Sequence, residues 1–138
     1  MSATCLLIDD DQDEHFLFAS ALREIDPALA CISEESALEA VNKLKTNLDF
    51  TPEFIFLDLN MPGLDGKWCL ANLKKIERLR EVPIIIYSTS RNKEDVCEAK
   101  NLGSAGYVVK PGAYQELKMT LKNVLGNLTR HDSYFFYQ

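Results

Sequence analysis

One stretch, Phe54-Ile55-Phe56-Leu57-Asp58-Leu59-Asn60-Met61-Pro62-Gly63, constrains the fold more than any other. An unbroken apolar run that ends in turn residues reads as a strand buried on both faces. Its single carboxylate, Asp58, comes at the strand's end, where a sheet edge meets solvent. Sheets with both faces buried need helical crossovers, and the flanking sequence supplies them. Cys5–Ile8, Leu29–Ile32, Val82–Tyr87 and Ala105–Val109 are four further short apolar runs. Between them lie helical stripes: Leu17, Phe18, Ala21, Leu22 and Ile25; Ala37, Leu38, Val41, Leu44 and Leu48; Cys69, Leu70, Leu73 and Ile76; Val96, Ala99 and Leu102. The last stripe is Leu117, Leu121, Val124 and Leu128.

The resulting order, βαβαβαβαβα, argues an α/β fold with a parallel sheet covered on both faces by helices. Right-handed crossovers leave few topologies, and ligands in such sheets meet the carboxyl ends of the strands. Local signals mark the helix ends. Asp11 and Glu14 have capping-box spacing, Ser33 and Ser36 precede the second helix, and Gly103 stops the fourth.

Those carboxyl ends present Asp9-Asp10-Asp11, Asp58, Ser88 and Lys110. Counting from Pro83 puts Ser88, rather than Thr89, at the end of the fourth strand. In the strand order 2-1-3-4-5 the first and third strands are neighbours, which brings Asp9 and Asp10 beside Asp58. Two carboxylates ~4 Å apart repel by about 4 kcal/mol at an effective dielectric of 20. A hard divalent cation relieves that repulsion, and Mg²⁺ suits a site of carboxylates, water and phosphate oxygens. With Lys110 as a fixed positive charge, the set fits transfer of a dianionic phosphoryl group.

These segments resemble the response-regulator receiver domain (CheY-like) across essentially the whole chain. The resemblance rests on Leu7–Asp11, Phe56–Gly66, Pro83–Ser88 and Gly103–Pro111. It implies a five-stranded (βα)5 flavodoxin-like fold over residues 1–129, followed by an aromatic tail, 130–138. It implies that Asp58 is phosphorylated by a sensor histidine kinase or a histidine phosphotransfer protein. Mg²⁺ would be bound by Asp10, Asp58 and the main-chain carbonyl of Asn60, with Asp9 assisting through water. Lys110 and the Ser88 hydroxyl would hold phosphoryl oxygens, and Tyr107 would change rotamer as part of the switch. Asn60 and Ser90 would set how long the phosphate survives, and the Lys110–Pro111 bond would be cis. Gly112 departs from the family pattern, which usually has an aromatic residue after the proline, and Ser88 replaces the commoner threonine.

Composition narrows the function. A net charge of −6 and a pI near 4.9 argue against general nucleic-acid affinity. The apolar runs are too short to span a bilayer, and Met1–Thr4 do not open a signal peptide, so a cytoplasmic location is expected. Cys5, Cys31, Cys69 and Cys97 lack metal-ligand spacing and read as reduced packing residues. The acidic triplet is no EF-hand loop, since the glycine and the terminal glutamate are missing.

The expected function is that of a stand-alone receiver, not an enzyme, signalling to an unknown downstream protein. A phosphorelay intermediate, or a phosphate sink without conformational output, is the alternative. An aspartate-nucleophile phosphohydrolase is more remote, because the position of its second acid is Asn60. A flavin-binding module is disfavoured because Asp9–Asp11 would repel a phosphate. His15 and His131 receive no role, and Trp68 is expected to cover the base of the third helix. Tyr134-Phe135-Phe136-Tyr137 exceeds what a solvated terminus needs. Docking on a partner, pairing as a homodimer and folding back all remain open for it.

Overall fold

A computed structural model describes residues 3–61, 66–129 and 134–138 of the 138-residue chain. The apolar runs form strands β1 (Ala3–Ile8), β2 (Leu29–Glu34), β3 (Phe54–Leu57), β4 (Ile84–Ser88) and β5 (Gly106–Val109). The helices are α1 (Gln12–Ile25), α2 (Ala37–Thr46), α3 (Gly66–Lys74), α4 (Lys93–Asn101) and α5 (Tyr114–Thr129), with a 3₁₀ turn at Glu77–Leu79. All pairings are parallel, in the order β2-β1-β3-β4-β5, with one further strand beside β5.

The sixth strand, β6 (Phe135–Tyr137), corrects the five-stranded expectation. The aromatic tail folds back and pairs with β5, Gly106 opposite Phe135 and Tyr107 opposite Phe136. Three residues give no periodicity to read, so only the excess of aromatic surface announced this strand. Gly106 is what lets it close: a Cβ there would lie 2.3 Å from the Phe135 ring.

Alternation along the strands divides the interior into two layers. Leu6, Ile8, Ile55, Leu57, Ile84, Ile86, Tyr107 and Val109 face α2, α3 and α4. Cys5, Leu7, Phe54, Phe56, Ile85, Tyr87 and Val108 face α1 and α5, with Phe18 edge-on to Phe56 and Tyr87. Fully burying each large aliphatic or aromatic side chain contributes roughly 1.5–3 kcal/mol. Trp68 packs at the margin of the first layer, on α3 as expected.

Several expected stripe or strand residues, Leu102 of the fourth helix among them, lie outside the core. Leu17, Ile32, Leu38 and Leu48 are exposed, because apolarity marks a residue as buriable without saying which side the neighbours occupy. Ala40, absent from the expected α2 stripe, is buried instead. The expected cis bond before Pro111 is also corrected: every described peptide bond is trans. The isomers at an X–Pro bond differ by only about 0.5–1 kcal/mol, and Gly112 offers no side chain to lock the turn. Gly103 ends α4 with φ +104°, the left-handed stop its position predicts. The four cysteines are free thiols; Cys5 and Cys31 are register partners on β1 and β2, and Cys97 is exposed.

Candidate functional site at the carboxyl edge of the sheet

Parallel pairing brings the ends of β1, β3, β4 and β5 to one edge. The Asp58 amide donates to the Ile8 carbonyl (2.9 Å), and the Lys110 amide to that of Ser88 (2.8 Å). These ladder bonds fix where each side chain leaves the sheet. Asp9, Asp58 and Ser88 are buried there, whereas Asp10 and Thr89 face solvent.

Oxygen atoms of Asp9, Asp10 and Asp58 all lie within 4.8 Å of one another. Lys110 Nζ lies 2.8 Å from Asp9 Oδ2 and 3.4 Å from Asp58 Oδ2. Asp58 Oδ1 accepts the Asn60 amide proton at 3.1 Å. Burial pushes the Asp58 carboxyl up to about 6; the Asn60 amide and Lys110 oppose this, and the Asp9 charge adds to it. Burial alone would lower the Lys110 ammonium, but its bond to Asp9 and the charges of Asp58 and Asp9 hold it above its ordinary value. One lysine is therefore shared between two buried carboxylates, and a third lies close by. All the converging side-chain donors are hard oxygens, a set that fits a small divalent cation and not a soft metal.

Ser88 Oγ accepts from Asn60 Nδ2 and from the Ser90 amide, both at 3.2 Å. A hydroxyl that accepts in this way still has one proton of its own to donate. The Tyr107 ring is wholly buried, and its hydroxyl donates to the Ser90 carbonyl at 2.8 Å. The structure thus gathers Asp9, Asp10, Asp58, Asn60, Ser88 and Lys110 at one edge and sets Tyr107 behind Ser88.

Some residues around the site were not legible in the sequence. Asp11 caps α1 by accepting from the Asp13 and Glu14 amides, but the capping box is only half formed. Asp9 Oδ1 takes the Asp11 amide at 3.0 Å, and the Glu14 carboxylate instead accepts from the Tyr87 hydroxyl at 3.3 Å. His15, given no role from sequence, bonds through Nε2 to the Asp9 carbonyl. Lys67 on α3 bridges Asp95 (2.8 Å) and Glu98 (2.9 Å) on α4, and Asp95 accepts the Ser90 hydroxyl at 2.6 Å. No local pattern announces a pair so far apart in sequence. His131 lies outside the described residues.

Comparison with known proteins agrees with this architecture. Residues 5–122 match the response regulator receiver domain, and the chain belongs to that family, the receivers of two-component systems. It is 31% identical to the chemotaxis protein CheY1 of Helicobacter pylori over 121 residues, covering 88% of this chain and 95% of that protein. It is 33% identical to the nitrate/nitrite response regulator NarL of Escherichia coli over 126 residues, covering 86% of this chain. The match spans 53% of NarL, about half of that relative's length. Among solved structures, the Mn²⁺-bound response regulator Rcp1 superposes with a TM-score of 0.74 at 26% identity, over 88% of this chain and 91% of that one. Receiver domains are signalling modules rather than classical enzymes. No helix among the described residues is long and apolar enough to cross a membrane.

Proposed function

We propose that Asp58 accepts a phosphoryl group from a phosphohistidine donor, a sensor histidine kinase or a histidine phosphotransfer protein, in a Mg²⁺-dependent reaction. One observation carries the reading. The two oxygens of a buried carboxylate are held apart, one by the Asn60 amide and one toward Lys110, beside the Ser88 hydroxyl.

An Asp58 oxygen attacks phosphorus in line. The P–O bond forms as the P–N bond to the donor imidazole breaks, and the electron pair leaves with that nitrogen. Lys110 and the Ser88 hydroxyl bind the phosphoryl oxygens as charge moves onto them, so acceleration comes from positioning and neutralisation. The carboxylates of Asp9, Asp10 and Asp58 and the Asn60 carbonyl would hold Mg²⁺. When bound, the ion neutralises the acidic cluster and the incoming phosphoryl charge. The Mn²⁺-bound relative and the all-oxygen donor set support a divalent cation. Asn60 spends its amide on Ser88 and has no acidic proton for a leaving group, which speaks against a phosphohydrolase.

Phosphorylation then alters binding of a downstream protein through Ser88 and Tyr107, in the cytoplasm. Incubation with acetyl phosphate and Mg²⁺, followed by intact mass measurement, tests the acceptor. Wild type gains one phosphoryl mass and Asp58→Ala gains none; an undiminished gain in the variant would refute the assignment.

A further inference from the structure

The β6 strand touches the switch. Phe136 lies in register with Tyr107, and the two rings are 5.6 Å apart between centroids, tilted by 34°. Phe136 thereby covers the side of β5 onto which Tyr107 would swing if its ring left the core. Two further contacts seat the tail. The Phe135 ring fills the space left by Gly106, and the Tyr134 ring lies beneath the Lys100 ammonium of α4 at 4.9 Å. Behind Tyr107 runs a continuous chain of bonds, from its hydroxyl to the Ser90 carbonyl and from the Ser90 amide to Ser88 Oγ.

We infer that Phe136 is a positioning residue for the phosphoacceptor site: docked β6 holds Tyr107 inward, which fixes Ser90 and keeps the Ser88 hydroxyl aimed as a donor at the phosphoryl position. The inference rests on Asp58 as acceptor, and it assigns the aromatic tail a part in the switch itself. Coupling is reciprocal. A tail that favours the phosphorylated site is itself held more firmly once that site is occupied.

The tail is also poised rather than locked. Among the described residues the Tyr134 hydroxyl is buried with no hydrogen-bond partner, a standing penalty on docking. Removing that hydroxyl strengthens the seat, whereas removing the Phe136 ring frees Tyr107. The two substitutions push the switch in opposite directions.

The test titrates beryllofluoride, a phosphoryl mimic, with Mg²⁺ into the full chain, following the fluorescence of Trp68, the single tryptophan. Phe136→Ala weakens binding about fivefold or more, in the range usual for coupled sites, and Phe136→Tyr restores it. Tyr134→Phe binds at least as tightly as wild type. In a Tyr107→Phe background, which keeps the ring but cuts the bond to Ser90, Phe136→Ala has no further effect. Wild-type affinity in Phe136→Ala overturns the inference, and so does a loss of equal size in both backgrounds. Ring-labelled Tyr107 provides a readout independent of Asp58: one NMR environment in wild type, and a second in Phe136→Ala and in Gly106→Ala. If wild type fails to bind beryllofluoride, the acceptor assignment falls, and unchanged Tyr107 signals in both variants would refute the strap on their own.

Discussion

Lys110 sits closer to Asp9 than to Asp58, 2.8 Å against 3.4 Å, and both carboxylates are buried. Without a divalent cation, the lysine's first task is to balance Asp9. Lys110→Ala would leave that carboxylate buried and unpaired, a change that costs about 3–5 kcal/mol where partners are fully enclosed. Metal-free Lys110→Ala is therefore expected to unfold at much lower denaturant, and Mg²⁺ to restore part of the loss. Chemical denaturation with and without Mg²⁺ measures both. Equal destabilisation in the two conditions would mean that the cation does not substitute for the lysine at Asp9.

Asp58 carries its own penalty, with a definite sign. The free carboxyl titrates near 3.8 and the folded one near 6 without metal, so between those values the folded state binds more protons. Relative to this group, stability is fully present below the unfolded value and is lost as pH rises through 6. The shift corresponds to about 3 kcal/mol. Asp58→Asn removes the ionisation and is expected to stabilise the metal-free protein at pH 8 by up to that amount, several degrees in Tm. The gain shrinks toward zero near pH 4. Thermal melts across that range decide it, and a gain that does not change with pH would contradict the assigned cause.

The same carboxylate links metal binding to pH. A cation needs Asp58 ionised, so Mg²⁺ affinity is expected to fall as pH drops below about 6. At one hundred times its dissociation constant the ion stabilises by about 2.7 kcal/mol, and Tm follows its concentration. Asp10→Asn removes the exposed member of the cluster and weakens Mg²⁺ by about an order of magnitude, with little effect on the metal-free melt. Calorimetric titration against Mg²⁺ and Mn²⁺ at pH 5.5 and 7.5 separates these effects. An Asp10→Asn variant that binds like wild type would remove Asp10 from the ligand set.

What the sequence disclosed follows from where its information lies. Strands buried on both faces are unbroken apolar runs, so Phe54–Leu57 and Ile84–Ile86 could be found without alternation, and the turn residues after them marked the edge where Asp58 and Ser88 emerge. Polar residues at strand ends are local features, and parallel topology does the rest of the assembly. Other parts of the structure depend on contacts between distant segments. Leu17 and Leu38 satisfy a helical stripe yet are exposed, because a stripe does not say which part of it the neighbours will cover. Glu14 sits where a capping box needs it but bonds to Tyr87, since Asp9 had already taken the Asp11 amide. The Lys67 bridge to α4 has no sequence signature at all. The tail's docking hinged on Gly106, a residue whose missing side chain matters only once Phe135 lies against it.

Gly66 has the same character closer to the reacting carboxylate. It opens α3 directly against the end of β3, and its amide donates to the Leu59 carbonyl at 2.9 Å. A Cβ at this position would lie 2.3 Å from the Asp58 carbonyl oxygen and 2.5 Å from Leu59 Cα. Both are main-chain atoms, so no side chain can swing away. Either α3 must shift outward or the segment carrying Asp58 must move. Overpacking of this kind costs about 1–3 kcal/mol, and more where backbone is displaced. Gly66→Ala is therefore expected to lower stability at the upper end of that range and to reduce phosphoryl acceptance further than the stability loss explains, because Asp58 moves relative to Lys110 and Ser88. Denaturant unfolding and the rate of mass gain from acetyl phosphate, measured where the variant is fully folded, check the two effects. A folded variant that accepts phosphate at the wild-type rate would show that α3 yields and that Asp58 stays in place.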